Sequence, residues 1–305
     1  MSARELVVLG TASQVPTRHR NHNGYFLRWD RQGFMFDPGE GTQRQMIHFG
    51  VTASSITRVL ITHFHGDHSL GFASLVQRIS LDNVPHPVHV HYPASGQKYY
   101  DRLRRATIFR DVSDLRPASI ADNGEADPVD QLTVSWRKLD HSVDCYGYRI
   151  TEADQFRFDR AKLDAAGLDG PVVGKLHRGE TVEVNGKPLR REDYGEWVRG
   201  NAFAFVMDTR VCDAAVELAR DVDLLVIEST YLHEAADDAN NNAHLTARQA
   251  AEIAQRAGAR RVVLTHFSQR YPDTTPFLEE ARAIHSDVVC ARDGLVVPMP
   301  KPPRE

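Results

Sequence analysis

The sequence predicts a mixed α/β protein. Short, almost wholly apolar runs alternate with helix-spaced segments, and polar residues recur just after the runs end, at His63, Asp208, Glu228 and His266. With 305 residues, 41% of them hydrophobic, the chain is long enough to bury a large core in the manner of a soluble protein.

Leu6-Val-Val-Leu-Gly10 reads as a strand ending in a glycine turn. Residues 24–29 and 33–36 form a hairpin about the charged turn 30–32, and 42–49 follow as a helix. Residues 58–62 read as a strand. Helix spacing of Leu70, Ala73, Leu75, Val76 and Ile79 predicts a helix over 69–80. Residues 88–92 alternate like a strand, 96–109 read as a helix and 132–136 as a strand. Residues 151–200 differ, being richer in charge and turn residues with weaker apolar periodicity, which suggests an inserted arm. Strands resume at 202–207 and 223–227, and 233–243 read as a polar loop. Thr246-Ala-Arg-Gln249 fits a capping box and Gly258 a helix stop. A strand at 260–265 runs directly into His266, and the proline- and charge-rich tail after Pro298 is expected to fray.

Composition excludes several classes. A net charge of -4 leaves no chain-wide polyanion-binding surface, so any such surface is local. Cys145, Cys212 and Cys290 form no CxxC pair, which argues against a zinc knuckle or a disulfide framework and for a reducing cytoplasm. No secretory leader is expected from the first residues, and no run approaches the roughly 20 apolar residues of a membrane span, so no membrane partner is expected.

The chemistry concentrates in Thr62-His-Phe-His-Gly-Asp-His68. Three imidazoles and a carboxylate in one tight turn suit zinc. His63 and His65 pair naturally on one ion, Asp67 and His68 face a second, and Gly66 lets the backbone turn between them. Two ions need further ligands. His141, Asp208 and His266 are the candidates, with Asp208 suited to bridging and Asp67 to orienting a water. Two ions roughly 3.5–4 Å apart can activate that water and clamp a phosphoryl group. Manganese or iron could replace zinc on such ligands.

The chain also resembles a known family. Thr62–His68 matches the HxHxDH signature of the metallo-β-lactamase fold. Within that superfamily it is similar to ribonuclease Z, through Leu9-Gly-Thr11, Pro16-Thr-Arg-His-Arg-Asn21, Phe36-Asp-Pro-Gly-Glu-Gly-Thr-Gln43, Tyr146-Gly-Tyr-Arg149, Gly170-Pro171, Phe205-Val-Met-Asp-Thr209 and Leu264-Thr-His-Phe-Ser-Gln-Arg-Tyr271. The resemblance implies an αββα sandwich, one metallo-β-lactamase-like domain over 1–305 with an exosite arm inserted at 151–200, and two zinc ions per subunit. His63, His65 and His141 would hold one ion, Asp67, His68 and His266 the other, and Asp208 would bridge. Ile227-Glu-Ser-Thr230 and His244-Leu-Thr246 stand where the family has its HEAT and HST loops, so Glu228 and His244 would form a proton-relay pair. A carboxylate beside an imidazole favours the charged form, which can protonate a leaving oxygen.

The implied activity is zinc-dependent cleavage of the 3′ trailer of precursor tRNA by a cytoplasmic homodimer. Pro38, Met207, Ile227 and Leu245 depart from the family's usual residues, and none of them is a proposed ligand. Lys175, Arg178, Lys187, Arg190 and Arg191 of the arm are candidate phosphate contacts, and Arg102, Arg104 and Arg105 with Tyr99 and Tyr100 form a second candidate surface. Two alternatives remain. One is a phosphodiesterase acting on small or cyclic diesters. The other is an RNA-binding scaffold that uses metal only to fold.

Overall fold

The computed structural model describes residues 4–184 and 187–301, with the backbone alone at 184 and 187. Two seven-stranded sheets face each other. The first runs in the order Val296–Pro298, Arg4–Gly10, Gly24–Trp29, Gln32–Phe36, Arg58–Leu60, Val88–Pro93, Leu115–Ile120. The second runs Val288–Cys290, Arg261–Thr265, Leu224–Glu228, Ala202–Val206, Tyr146–Glu152, Leu132–Lys138, Gly124–Glu125.

The layering follows from alternation along each strand. Leu6, Val8, Tyr25, Leu27, Phe34 and Phe36 point inward and meet Phe203, Phe205, Leu224, Val226 and Val263 of the other sheet. Val7, Leu9, Met35, Val59 and Ile61 point outward, under the helices Thr42–His48, Phe72–Leu81 and Gln97–Arg104. Ala204, Val206, Leu225, Ile227, Val262 and Leu264 face the helices Asp213–Ala219, Ala247–Ala257 and Thr275–Arg282. The result is an αββα sandwich. Strands covered on both faces read as unbroken apolar runs, the pattern seen at Leu6–Leu9 and Ala202–Met207.

The arm leaves the second sheet after Glu152 and returns at Ala202, which pairs with Thr151. Between these points Gln155–Phe158 pairs with Gly195–Val198, and the helices Arg160–Ala165 and Gly170–His177 close over Leu163, Leu168, Leu176 and Val182. So small a core is filled by short elements, which explains the weak periodicity of the segment.

Several boundaries differ from expectation. The helix expected over 69–80 is two pieces, Gly66–Ser69 and Phe72–Leu81, so Asp67 and His68 lie in a helical turn. The one expected over 96–109 ends at Arg104, before the fully exposed Ile108 has a face to bury. Residues 233–243 are mostly short helical turns, His233–Ala235 and Ala236–Asn241, whose early acids Glu234, Asp237 and Asp238 suit helix N-termini. The tail does not fray at Pro298. Val296–Pro298 pairs with Arg4–Gly10, and the carbonyls of Pro300 and Lys301 accept bonds from Asn201 and Arg260. The residues beyond 301, and the side chain of Lys187, lie outside the described residues.

Candidate active site

Strand ends deliver the site. Asp37 follows Gln32–Phe36, His63 follows Arg58–Leu60, Asp208 follows Ala202–Val206, Glu228 ends its own strand and His266 follows Arg261–Thr265. Asp37, Asp208 and His266 take positive φ angles of 40°, 38° and 62°, a conformation uncommon outside glycine. Such backbones persist where surrounding contacts hold them, and here they turn three polar side chains toward one point.

The side chains form two donor sets about Asp208. In the first, His63 Nε2 and His65 Nδ1 are 2.9 Å apart, and His65 Nδ1 is 3.4 Å from His141 Nε2. Asp208 Oδ2 lies 3.6 Å from His63 Nε2 and 3.7 Å from His141 Nε2. In the second, His68 Nε2 is 3.2 Å from His266 Nε2 and 3.3 Å from Asp67 Oδ2. Asp208 Oδ1 is 3.4 Å from His68 Nε2 and 3.3 Å from His266 Nε2. Ligands about 2.05 Å from a tetrahedral ion stand roughly 3.3 Å from one another, so both sets have the spacing of a four-coordinate site. Asp208 Oδ1 is buried without a hydrogen-bond partner, an arrangement costly for a carboxylate unless a cation satisfies it. The donors therefore fit divalent metal.

In His63, His68, His141 and His266 the other ring nitrogen is tied back. The Nδ1 atoms of His63 and His68 reach Thr62 Oγ1 at 3.0 Å and Asp37 Oδ2 at 2.8 Å, and Thr62 donates its own hydroxyl to Asp37 Oδ2 at 2.7 Å. His266 Nδ1 reaches Thr230 Oγ1 at 2.7 Å, and that hydroxyl donates to Glu228 Oε2 at 2.6 Å. His141 Nδ1 donates to the Ala243 carbonyl at 3.1 Å. Each tie fixes a tautomer and turns Nε2 into the site.

His244 Nδ1 lies 3.0 Å from Glu228 Oε1, which also accepts from the Thr209 amide at 2.9 Å. Its ring centroid is 5.3 Å from that of His266. Burial opposes charge on His244, but Glu228 and Asp208 outweigh it and hold the pKa up at about 9. The capping box at Thr246, with both reciprocal bonds formed, anchors the helix two residues later and so fixes His244. Burial likewise opposes charge on Asp208, yet the surrounding imidazoles hold its carboxyl well below the usual range. An open groove of about 470 Å³ exposes this centre between Gln14, His65, Ser142, Tyr231 and Arg270.

All nine residues singled out in the sequence come together here. Asp37 and Thr230 were legible only as parts of motifs. An acid ending a strand before Pro-Gly, and a threonine two residues after a buried glutamate, were the signals that could have assigned them their roles. Of the arginines on the groove wall, Arg270 was legible only as part of the Leu264–Tyr271 run, and Arg210 carried no signal.

Comparison with known proteins agrees with this architecture. Residues 17–143 match the model of the metallo-beta-lactamase superfamily, and residues 176–267 match a beta-lactamase superfamily domain. The chain is 52% identical over 303 residues to ribonuclease Z of Streptomyces coelicolor, covering 99% of each chain. It is 45% identical to ribonuclease Z of Chlamydia muridarum, again over 99% of each. The crystal structure of human tRNase Z, short form, superposes with a TM-score of 0.71 at 24% identity, over 97% of this chain and 100% of that one. Fold and donor sets together define a metal-dependent hydrolase of metallo-β-lactamase architecture. Within that class, the chain belongs to the ribonuclease Z family of endoribonucleases.

Proposed function

We propose that this enzyme removes the 3′ trailer of precursor tRNA with two zinc ions per subunit, and that His63, His65, Asp67, His68, His141, Asp208 and His266 hold them. The observation that carries the reading is the Glu228–His244 pair set beside the two donor sets. Bound zinc supplies Lewis acidity and an activated water. The protein's own groups do the rest. Asp67 orients the attacking water toward phosphorus. His244, protonated against Glu228, gives its proton to the 3′ oxygen as the P–O3′ bond breaks. The products are a 3′-hydroxyl on the tRNA and a 5′-phosphate on the trailer.

The arm, 151–200 of one 1–305 domain, serves as an exosite for the body of the tRNA. Gly170 and Pro171 open its helix Gly170–His177, and Lys175 is exposed along it. Arg178 and Arg191 pair with Glu180 and Glu192, so the arm's field is local rather than broadly basic. Exposed Ile47 and Leu81 suit a homodimer contact. Three free cysteines, and no helix among the described residues long and apolar enough to cross a membrane, suit the cytoplasm.

The test is cleavage of a purified precursor tRNA beside a chromogenic diester, bis(p-nitrophenyl) phosphate, with metal content measured on the same sample. Trailer release with a new 3′-hydroxyl is expected. Turnover of the small diester alone would favour the small-diester reading, and neither activity at full metal occupancy would favour a scaffold.

A further inference from the structure

Next to His65 of the groove wall lies an aromatic step that the metal chemistry does not use. Phe64 stands between His63 and His65, and its ring lies 5.8 Å from that of Tyr99 at a tilt of 34°. Tyr92 backs Phe64 edge-on at 6.0 Å. Glycine at 96 leaves room for this packing, because a Cβ there would run into the Phe64 ring. Tyr99 lies in the first turn of the helix Gln97–Arg104, is 41% exposed, and has the Lys98 ammonium 4.8 Å from its ring centroid. The same helix start is fastened to the groove a second time. The Ser95 side chain bonds Asp144, two residues past Ser142 of the groove wall.

Two other side chains of this helix are committed elsewhere. Tyr100 is buried and stacked on Tyr92 at 4.6 Å, and Arg104 pairs with Asp111 at 3.1 Å. Of the Tyr-and-Arg surface suggested by the sequence, Arg102 and Arg105 stay exposed, and Tyr99 is the ring left open, with Lys98 at its edge beside Phe64. An exposed ring resting on a second ring, with a mobile cation beside it, has the chemistry that binds single-stranded nucleic acid: a face for a base and a charge for the adjoining phosphate.

The direction of the substrate follows from the acid. His244 adjoins Tyr231, with ring centroids 6.1 Å apart, and the Arg270 guanidinium covers the Tyr231 ring at 4.9 Å. The nucleotide that keeps the 3′ oxygen protonated by His244 lies toward that pair. On the trailer-cleavage reading, the nucleotide that keeps the phosphate then leaves on the side away from that pair, where His65 lines the groove. We propose that the Phe64–Tyr99 stack, with Lys98, binds a nucleobase of the departing 3′ trailer, an assignment that rests on the trailer-cleavage reading above.

The experiment is steady-state cleavage by the zinc-loaded enzyme of one precursor tRNA with a normal short trailer and one with abasic trailer residues. Wild type, Tyr99→Ala and Tyr99→Phe are compared. For the normal trailer, Tyr99→Ala raises KM about tenfold with kcat within about twofold, and Tyr99→Phe stays near wild type. For the abasic trailer the three enzymes share one KM. Equal KM values on the normal trailer overturn the stacking step, and so does an undiminished Tyr99→Ala penalty on the abasic one. A KM change accompanied by altered oligomeric state in sedimentation assigns the patch to a contact between copies and overturns it too. Wild-type enzyme that turns over bis(p-nitrophenyl) phosphate but no RNA overturns the trailer-cleavage reading, and this inference with it.

Discussion

The hydroxyl of Thr230 sits 2.7 Å from Nδ1 of His266. It donates a hydrogen bond to Glu228, the carboxylate that also holds His244. One glutamate therefore steadies both a metal-set imidazole and the proposed acid. Thr230→Val keeps the shape and removes the tie, so metal affinity should fall about 10–100-fold, with Thr230→Ser restoring most of it. Competition with a chelator under equilibrium dialysis measures this, and unchanged affinity in the valine variant would remove Thr230 from the metal site.

Asp208 is shared between the two donor sets, so its loss should not be partial. Asp208→Ala is expected to lower metal content and turnover together, the latter by at least ~10²-fold. Elemental analysis of the purified variant beside its rate decides the point. Full metal with an intact rate would refute the bridging role.

The proposed role of His244 needs its acid form, and its pKa is raised to about 9. Protonated imidazole is present below that value and lost as pH rises through it, so activity has an alkaline limb. Bound cations press the limb toward lower pH, while Glu228 presses it up. Glu228→Gln removes the upward push. The limb in the pH dependence of kcat should therefore move acidward by about one unit, since an opposite charge at this range is worth at least that. An unmoved limb would break the link between the pair and the leaving group.

Because Thr151 pairs directly with Ala202, the arm can be replaced by a tight turn without disturbing the sheet. The expected outcome is collapse of precursor tRNA cleavage with bis(p-nitrophenyl) phosphate turnover preserved. Equal loss of both activities in a folded variant would count against an RNA-clamping arm.

Asp293 gives a pH effect on stability rather than rate. Burial pushes its carboxyl up to about 6, against hydrogen bonds from the Asn21 amide at 2.7 Å and the Thr11 hydroxyl at 2.9 Å. A raised carboxyl pKa means the protonated form favours the fold. That contribution is complete below about 4 and is lost as pH rises through about 6, a swing of up to ~3 kcal/mol. Urea unfolding at pH 5 and pH 7 should show wild type losing more stability than Asp293→Asn over that interval. Parallel losses would place the titration elsewhere.

The donor cluster was legible in the sequence because the chemistry of a ligand set is local. Imidazoles packed into one turn at 63–68 have few other uses, and strand ends advertise where their partners stand. The strands were legible for a different reason: burial on both faces leaves unbroken apolar runs at Leu6–Leu9 and Ala202–Met207. What stayed hidden depends on distant pairing. Asp37 becomes a tether only when Thr62 and His68 fold against it, and Tyr99 becomes a platform only when Phe64 lies beneath it. The final strand was missed because its partner stands nearly three hundred residues away.

That closing strand bears on how the enzyme is made. Val296–Pro298 zips onto Arg4–Gly10, and Asp293 clasps Asn21 and Thr11, so the first sheet is finished only after residues 293–298 have been made. His266 arrives nearly as late. A nascent or prematurely terminated chain can hold the 63–68 turn yet has no complete second donor set. The first sheet and the second donor set are thus completed by residues far along the chain from the 63–68 turn.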